Sequence, residues 1–244
     1  MLNNLPQVTK NILILNIVFF VATLVLQSRG IDLISSFGAH YVNSPLFQPF
    51  QVVTHFFMHA GFIHIFFNMW LFLMLGAYLE NIWGPKRFFI FYILSALGSF
   101  ALYNIIGVFE LESLKNELIK QGFDLNEINN MLKNGEYNPQ AFESNVVYQD
   151  YFSKCYTPMV GASGAIFGVL TAFAILFPNT EFRIYFLIPI KAKYFVGLYL
   201  IFEVYQALQN NSNDHTAHLA HIGGAIVGAI IVLYWRKVDR SNFW

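Results

Sequence analysis

Ser163 stands in the run Gly161-Ala162-Ser163-Gly164-Ala165-Ile166-Phe167-Gly168, one hydroxyl among small residues at the start of a hydrophobic stretch. Further on, Ala217-His218-Leu219-Ala220-His221-Ile222-Gly223-Gly224 opens a second small-residue stretch. It carries imidazole, the side chain able to deprotonate a serine near neutral pH. Together the two segments predict hydrolysis by nucleophilic attack within a bilayer.

The glycine spacing supports bringing the two together. Gly161, Gly164 and Gly168 follow i, i+3, i+7, and Gly224 and Gly228 stand at +3 and +7 from His221, so each set falls on one helical face. Small residues let membrane helices approach backbone to backbone. His221 shares its face with its glycines, and His218, three residues earlier, lies on the same side but one turn nearer the surface. His221 is therefore the expected base.

Acyl transfer also needs donors for an oxygen that becomes negative. His64 and Asn68 are four apart and hence share a face. With the Ser163 backbone N–H they are the candidate oxyanion hole. Interhelical hydrogen bonding is the competing role for Asn68.

Elements able to hold such a site must span a membrane. Hydrophobic residues make up 56% of the 244 and charged residues 11%, with a mean hydropathy of +0.50, against about 25% charged in soluble domains. With roughly 20 apolar residues needed per crossing, six spans are expected, at about 11–27, 62–80, 88–108, 159–178, 192–208 and 217–235. An even count places both termini on one side. Lys10, Lys86, Arg87, Arg183, Lys191, Lys193, Arg236, Lys237 and Arg240 flank that side, which the positive-inside rule makes cytoplasmic. Ser163 and His221 are expected about 6 to 10 Å inside their helix starts, at about 1.5 Å per residue.

The stretch after Lys10 has no small-x-small site before Arg29 and reads as a retained helix. Net charge of +0 gives no reason to expect a nucleic-acid partner. Cys155, the only cysteine, excludes an internal disulfide and a multi-cysteine metal site.

One domain is expected over 1–244, with an insertion at 109–157. Leu111, Leu114 and Leu118, then Leu125, Ile128 and Leu132, predict two short amphipathic helices broken at Gly122 and Gly135, with Asp124 and Glu127 as a capping box. The insertion is either a solvated decoration or a cap on the site. The first loop, 28–61, reads as an interfacial segment lying on the membrane.

On these residues the chain resembles the rhomboid family of intramembrane serine proteases. The resemblance rests on His59, His64 and Asn68; on Glu80 followed by Trp83-Gly84; on Gly161-x-Ser163-Gly164; and on Ala220-His221-x-x-Gly224-x-x-x-Gly228. It implies an all-α membrane protein, a six-transmembrane-helix bundle, with Ser163 as nucleophile and His221 as general base and then acid. An oxyanion hole from His64, Asn68 and backbone is implied too, with no cofactor and no carboxylate required. Implied substrates are membrane proteins, single-span ones first, cut in transmembrane or juxtamembrane segments. The compact form points to a bacterial plasma membrane. Phe50-Gln51 replaces the family's common Trp-Arg pair, and Phe167, where many members carry tyrosine, could stack on His221 but cannot hydrogen-bond to it.

Two other classes compete. His55, His59, His215 and His218 could bind haem or a metal, but His-x-x-x-His with no adjacent acid is not a zinc-protease pattern. A non-catalytic rhomboid-like client binder would typically lack the serine or the histidine, and both are present. No Asp or Glu is expected beside His64 or His221 within the membrane. Glu203, the only acid well inside a span, reads as a packing or interfacial feature.

Overall fold

The computed structural model describes residues 5–184, 188–209 and 216–239. His215, Asp214 and Arg240 lie outside them. Helix α1 (Gln7–Gln27) is followed by a first loop carrying α2 (Leu33–Phe37) and α3 (Gln51–Thr54). The second span is α4 (Phe62–Leu71), a π turn over Phe72–Gly76 and α5 (Ala77–Trp83). Gly84, at φ +79, breaks that helix, and Pro85 starts α6 (Pro85–Lys120), where its missing N–H costs nothing.

Three short helices follow, α7 (Leu125–Asn134), α8 (Pro139–Ser144) and α9 (Val146–Tyr156). The chain then enters α10 (Ser163–Leu176), an antiparallel pair β1 (Glu181–Ile184) and β2 (Ile188–Lys191), α11 (Ala192–Gln209) and α12 (His218–Val238). Helices occupy all six expected spans. Gln7–Gln27, Phe62–Trp83, Pro85–Lys120 and His218–Val238 are long and apolar enough to cross a membrane, while Ser163–Leu176 is apolar but shorter. The fold is an all-α membrane bundle with one small hairpin that the apolar pattern did not announce.

At the centre α6, α10 and α12 meet along small residues. A Cβ on Gly224 would lie 1.8 Å from the Gly164 carbonyl oxygen, and one on Gly228 2.7 Å from the Gly168 Cα. On α6, Ser99 and Ser95 abut Gly164 and Gly168, and Gly98 meets Gly223. Backbones this close leave room for no side chain. Outward faces of the outer helices carry exposed Phe62, Ile63, Phe66, Phe67, Leu198, Ile201 and Phe202, as lipid contact requires.

Glu80 ties α1 to this centre. Its carboxylate accepts from the Val8 amide at 2.8 Å and from the Thr9 amide and hydroxyl at 2.7 Å, an acid at the positive end of a helix. The first loop is held by Gln51, which stands where the family's arginine is common. The Gln51 amide oxygen accepts from the backbone of His40 and Gln48, and its nitrogen donates to the carbonyls of Ser36 and Leu46.

The insertion differs from expectation. The helix expected to end near 108 continues to Lys120, so Leu111 and Leu118 belong to α6 and not to a separate helix. Helical periodicity needs no bilayer once the apolar stripe finds another partner. Here that partner is a second core of Tyr41, Tyr103, Ile128, Leu132, Tyr148, Tyr151 and Cys155. The predicted helix after Gly122 is α7, with Asp124 accepting from the Asn126 amide at 2.8 Å and Gly135 left-handed at its end. Helices α8 and α9, capped by Asn138 and Asn145, were not foreseen.

Candidate active site

Ser163 reaches its place through an extended strap. Met159 pairs with Ala39 through two 2.8 Å backbone hydrogen bonds, and the Gly161 amide donates to the His55 carbonyl at 3.0 Å. Gly161 has φ +120, a backbone that L side chains rarely adopt, and a Cβ there would fall 2.8 Å from His64 Nε2. Gly161 therefore is not part of a helical glycine face, as its spacing suggested. It is the turn that lets the His64 ring lie against the backbone.

Ser163 is the first residue of α10 and His221 the fourth of α12. Both occupy the first turn of their helices, which corrects the 6 to 10 Å depth expected from helix rise. That placement has a chemical consequence. The first amides of a helix have no intrahelical acceptor and form its positive end, so the Ser163 N–H is available to an anion.

His221 Nε2 lies 2.8 Å from Ser163 Oγ. Phe167, one turn below Ser163, lies flat on the imidazole, with ring centroids 4.2 Å apart and planes within 10°. Its outer side meets Tyr199 of α11. A pocket of about 420 Å³ opens over these groups, lined by Ser163, His221, His64, Asn68, Phe167 and Tyr199 among others. The Asn68 side-chain N–H₂ is buried and has no hydrogen-bond partner among the described residues, an expense that a buried donor ordinarily avoids.

His55 and His59 lie in the first loop, ahead of α4. His55 and Gln51 are joined by a 2.7 Å contact from the ring Nδ1 to the carbonyl, and burial pushes His55 down to about 4. Burial, with the neighbouring His64, pushes His59 down to about 3; its ring stands edge-on to His64 at 5.0 Å. Among the described residues, neither gathers with His218. His215 lies outside the described residues.

The sequence reading missed Glu203. Buried on α11, its Oε2 lies 2.8 Å from His221 Nδ1 and 2.6 Å from His218 Nδ1. The expectation that no acid lies beside His221 within the membrane is thus overturned. Ala192, Val196 and Glu203 are the buried residues of α11, and they sit at i, i+4 and i+11 on one helical face. That burial is visible only in the fold; the signal in the sequence is an acid well inside an expected span, a position that is functional by default. The ligand atoms of Glu203, His218 and His221 all lie within 4.8 Å of one another.

The insertion reaches this site through shared residues. Met159 and Ala220 belong to its core, with Ala217 packed against it, and all three also line the pocket. Lys154 and Glu110 pair at 2.7 Å, and the Lys115 ammonium donates to the Asn43 carbonyl at 2.9 Å. These contacts fasten α9 to α6 and α6 to the first loop.

A hydroxyl thus faces an imidazole across close-packed helices at the centre of an all-α membrane bundle. The rhomboid-domain model matches residues 46–110 and 139–238, more than half of the chain, and the protein belongs to the rhomboid family. The unmatched 111–138 falls inside the insertion. Among similar proteins, an uncharacterized mitochondrial rhomboid protein of Schizosaccharomyces pombe is 36% identical over 41% of this chain and 25% of its own length. The chloroplastic rhomboid-like protein 16 of Arabidopsis thaliana is 21% identical over 99% of this chain and 65% of its own. The mitochondrial RHOMBOID-like protein 12 of the same plant is 33% identical over 36% of the chain and 24% of its own. The match covers less than two thirds of each relative. All three are named for mitochondria or chloroplasts, which gives the expected bacterial plasma membrane no support.

Proposed function

We propose that this protein is an intramembrane serine endopeptidase in which Ser163 attacks the scissile carbonyl and His221 takes, then returns, the proton. The observation that carries the reading is the 2.8 Å contact between Ser163 Oγ and His221 Nε2 inside a pocket that also holds His64 and the unpartnered Asn68 amide. His64, Asn68 and the Ser163 N–H supply the oxyanion hole. The geometric logic is that of a nucleophile and base within hydrogen-bond reach, with donors set where negative charge develops.

Substrates are membrane proteins, single-span ones first, because the pocket opens among helices whose outer faces are apolar. The chain acts as one membrane domain, its termini on the side rich in Lys and Arg and the 109–157 insertion on the other. Covalent labelling by a fluorophosphonate tests the reading against a non-catalytic, client-holding rhomboid relative. A protease reacts at Ser163 and cleaves a transmembrane substrate. A client binder does neither.

A further inference from the structure

We propose that Glu203 is a positioning residue for His221, so that Ser163, His221 and Glu203 act as a hydrogen-bonded row in place of a two-residue device. This deepens, and rests on, the protease reading. The row is Ser163 Oγ to His221 Nε2 at 2.8 Å, then His221 Nδ1 to Glu203 Oε2 at 2.8 Å.

A neutral imidazole carries one proton, and only the Nε2 without it can accept from Ser163. Glu203 offers an acceptor at Nδ1, which draws the proton there and leaves the Nε2 lone pair facing the hydroxyl. The carboxylate also fixes rotation of the ring, whose one face is already held by Phe167.

Charge comes next. When the Ser163 O–H bond breaks and the proton moves to Nε2, His221 becomes a cation among buried groups, where an unpaired charge is costly. Glu203, only 2% exposed, supplies the opposite charge without moving. When the proton passes on to the leaving amine nitrogen, the imidazole is neutral again and Glu203 is unchanged.

His218 completes the arrangement. Its Nδ1, 2.6 Å from the same Oε2, helps hold that oxygen at the His221 edge, so the carboxylate is braced from α12 as well as carried on α11. The two imidazoles stand nearly perpendicular, 88° between planes. His218 approaches the oxygen from its own direction and leaves the His221 contact intact.

The test uses full-length protein in detergent or vesicles, with Glu203→Gln, Glu203→Asp and wild type compared for kcat, KM and the rate of fluorophosphonate labelling. Glu203→Gln keeps the shape and removes the charge. Loss of the comparable acid in a serine protease costs about 10⁴-fold, so a kcat loss of about 100-fold or more is expected here, with KM little changed and partial recovery in Glu203→Asp. A kcat within about twofold of wild type in Glu203→Gln overturns the proposal. Nitrogen-15 NMR of histidine-labelled wild type provides a second readout that needs no variant to fold: the His221 proton is expected on Nδ1, and a proton on Nε2 in the resting protein overturns the proposal. If the wild type neither labels nor cleaves, the protease reading fails, and the tautomer alone decides whether Glu203 orients the ring.

Discussion

Phe167 and His221 lie face to face, their centroids 4.2 Å apart, on two helices that touch backbone to backbone at Gly164 and Gly224. The stack fixes the plane of the imidazole while Glu203 fixes its rotation. A ring contact of this kind contributes about 0.5–1.5 kcal/mol. Phe167→Leu is therefore expected to slow fluorophosphonate labelling by about 2- to 10-fold, each 1.4 kcal/mol being tenfold, while Phe167→Tyr stays near wild type. Equal rates for all three would show that the stack positions nothing.

Asn68→Ala and His64→Ala should each lower kcat by about 100-fold, the usual cost of one oxyanion donor, and leave KM nearly unchanged. Asn68 is the sharper case, because its buried N–H₂ lacks a partner among the described residues. A change confined to thermal stability would make it a packing residue.

The glycine seam is testable by stability alone. Gly224→Ala places a methyl 1.8 Å from the Gly164 carbonyl oxygen, against backbone that cannot step aside. The expected loss is about 3 kcal/mol or more, at the upper end for overpacking. Gly197→Ala is the control, since nothing lies within 4 Å of its added methyl and alanine favours a helix by about 0.8–1.0 kcal/mol. A thermal melt in detergent should separate the two in opposite directions; equal melting temperatures would refute the close approach.

Much of the site was legible because local spacing encodes a helical face. Gly164, Gly168, Gly224 and Gly228 announced the seam, and His221 was in register with it. Glu203 was not legible from spacing, since it lies on a different helix and meets the imidazoles only through tertiary packing. The one sequence feature that singles it out is being the only acid well inside an expected span. The end of α6 was misplaced for a related reason: a drop in hydropathy near Glu110 marks where apolar surroundings stop, whereas the helix continues as long as Leu111 and Leu118 find a core. Gly161 misled because three-residue spacing fits a helix and a turn equally well, and only φ distinguishes them.

Cys155 will not report topology in the folded state. It is fully buried in the insertion's core, and burial pushes its thiol up to about 11, against the opposing pull of Ser44 and Tyr151. The thiolate is the reactive form, so at pH 8 roughly one thiol in a thousand is ionised, from a gap of about three pH units. Labelling should be slow near neutrality, rise as pH approaches 11, and become rapid on unfolding. A cysteine placed at exposed Lys133 is the useful probe. It should react with an impermeant reagent on the side opposite the termini, and labelling on the same side as the termini would invert the proposed orientation.

The two histidines of α12 make unequal predictions even though both touch Glu203. His221→Ala should abolish labelling, because its Nε2 is the atom 2.8 Å from Ser163 Oγ. His218→Ala should keep substantial activity, because Glu203 retains its contact with His221. Activity lost in His218→Ala but kept in His221→Ala, at equal expression, would show that the base is one turn away from the residue assigned here.

The central claim is that Ser163 is a nucleophile activated by His221, and mass mapping of a fluorophosphonate adduct tests it most directly. The account predicts one adduct, on Ser163, present in the wild type and absent from both Ser163→Ala and His221→Ala at unchanged melting temperature. An adduct on another residue, or undiminished labelling in Ser163→Ala, would contradict it.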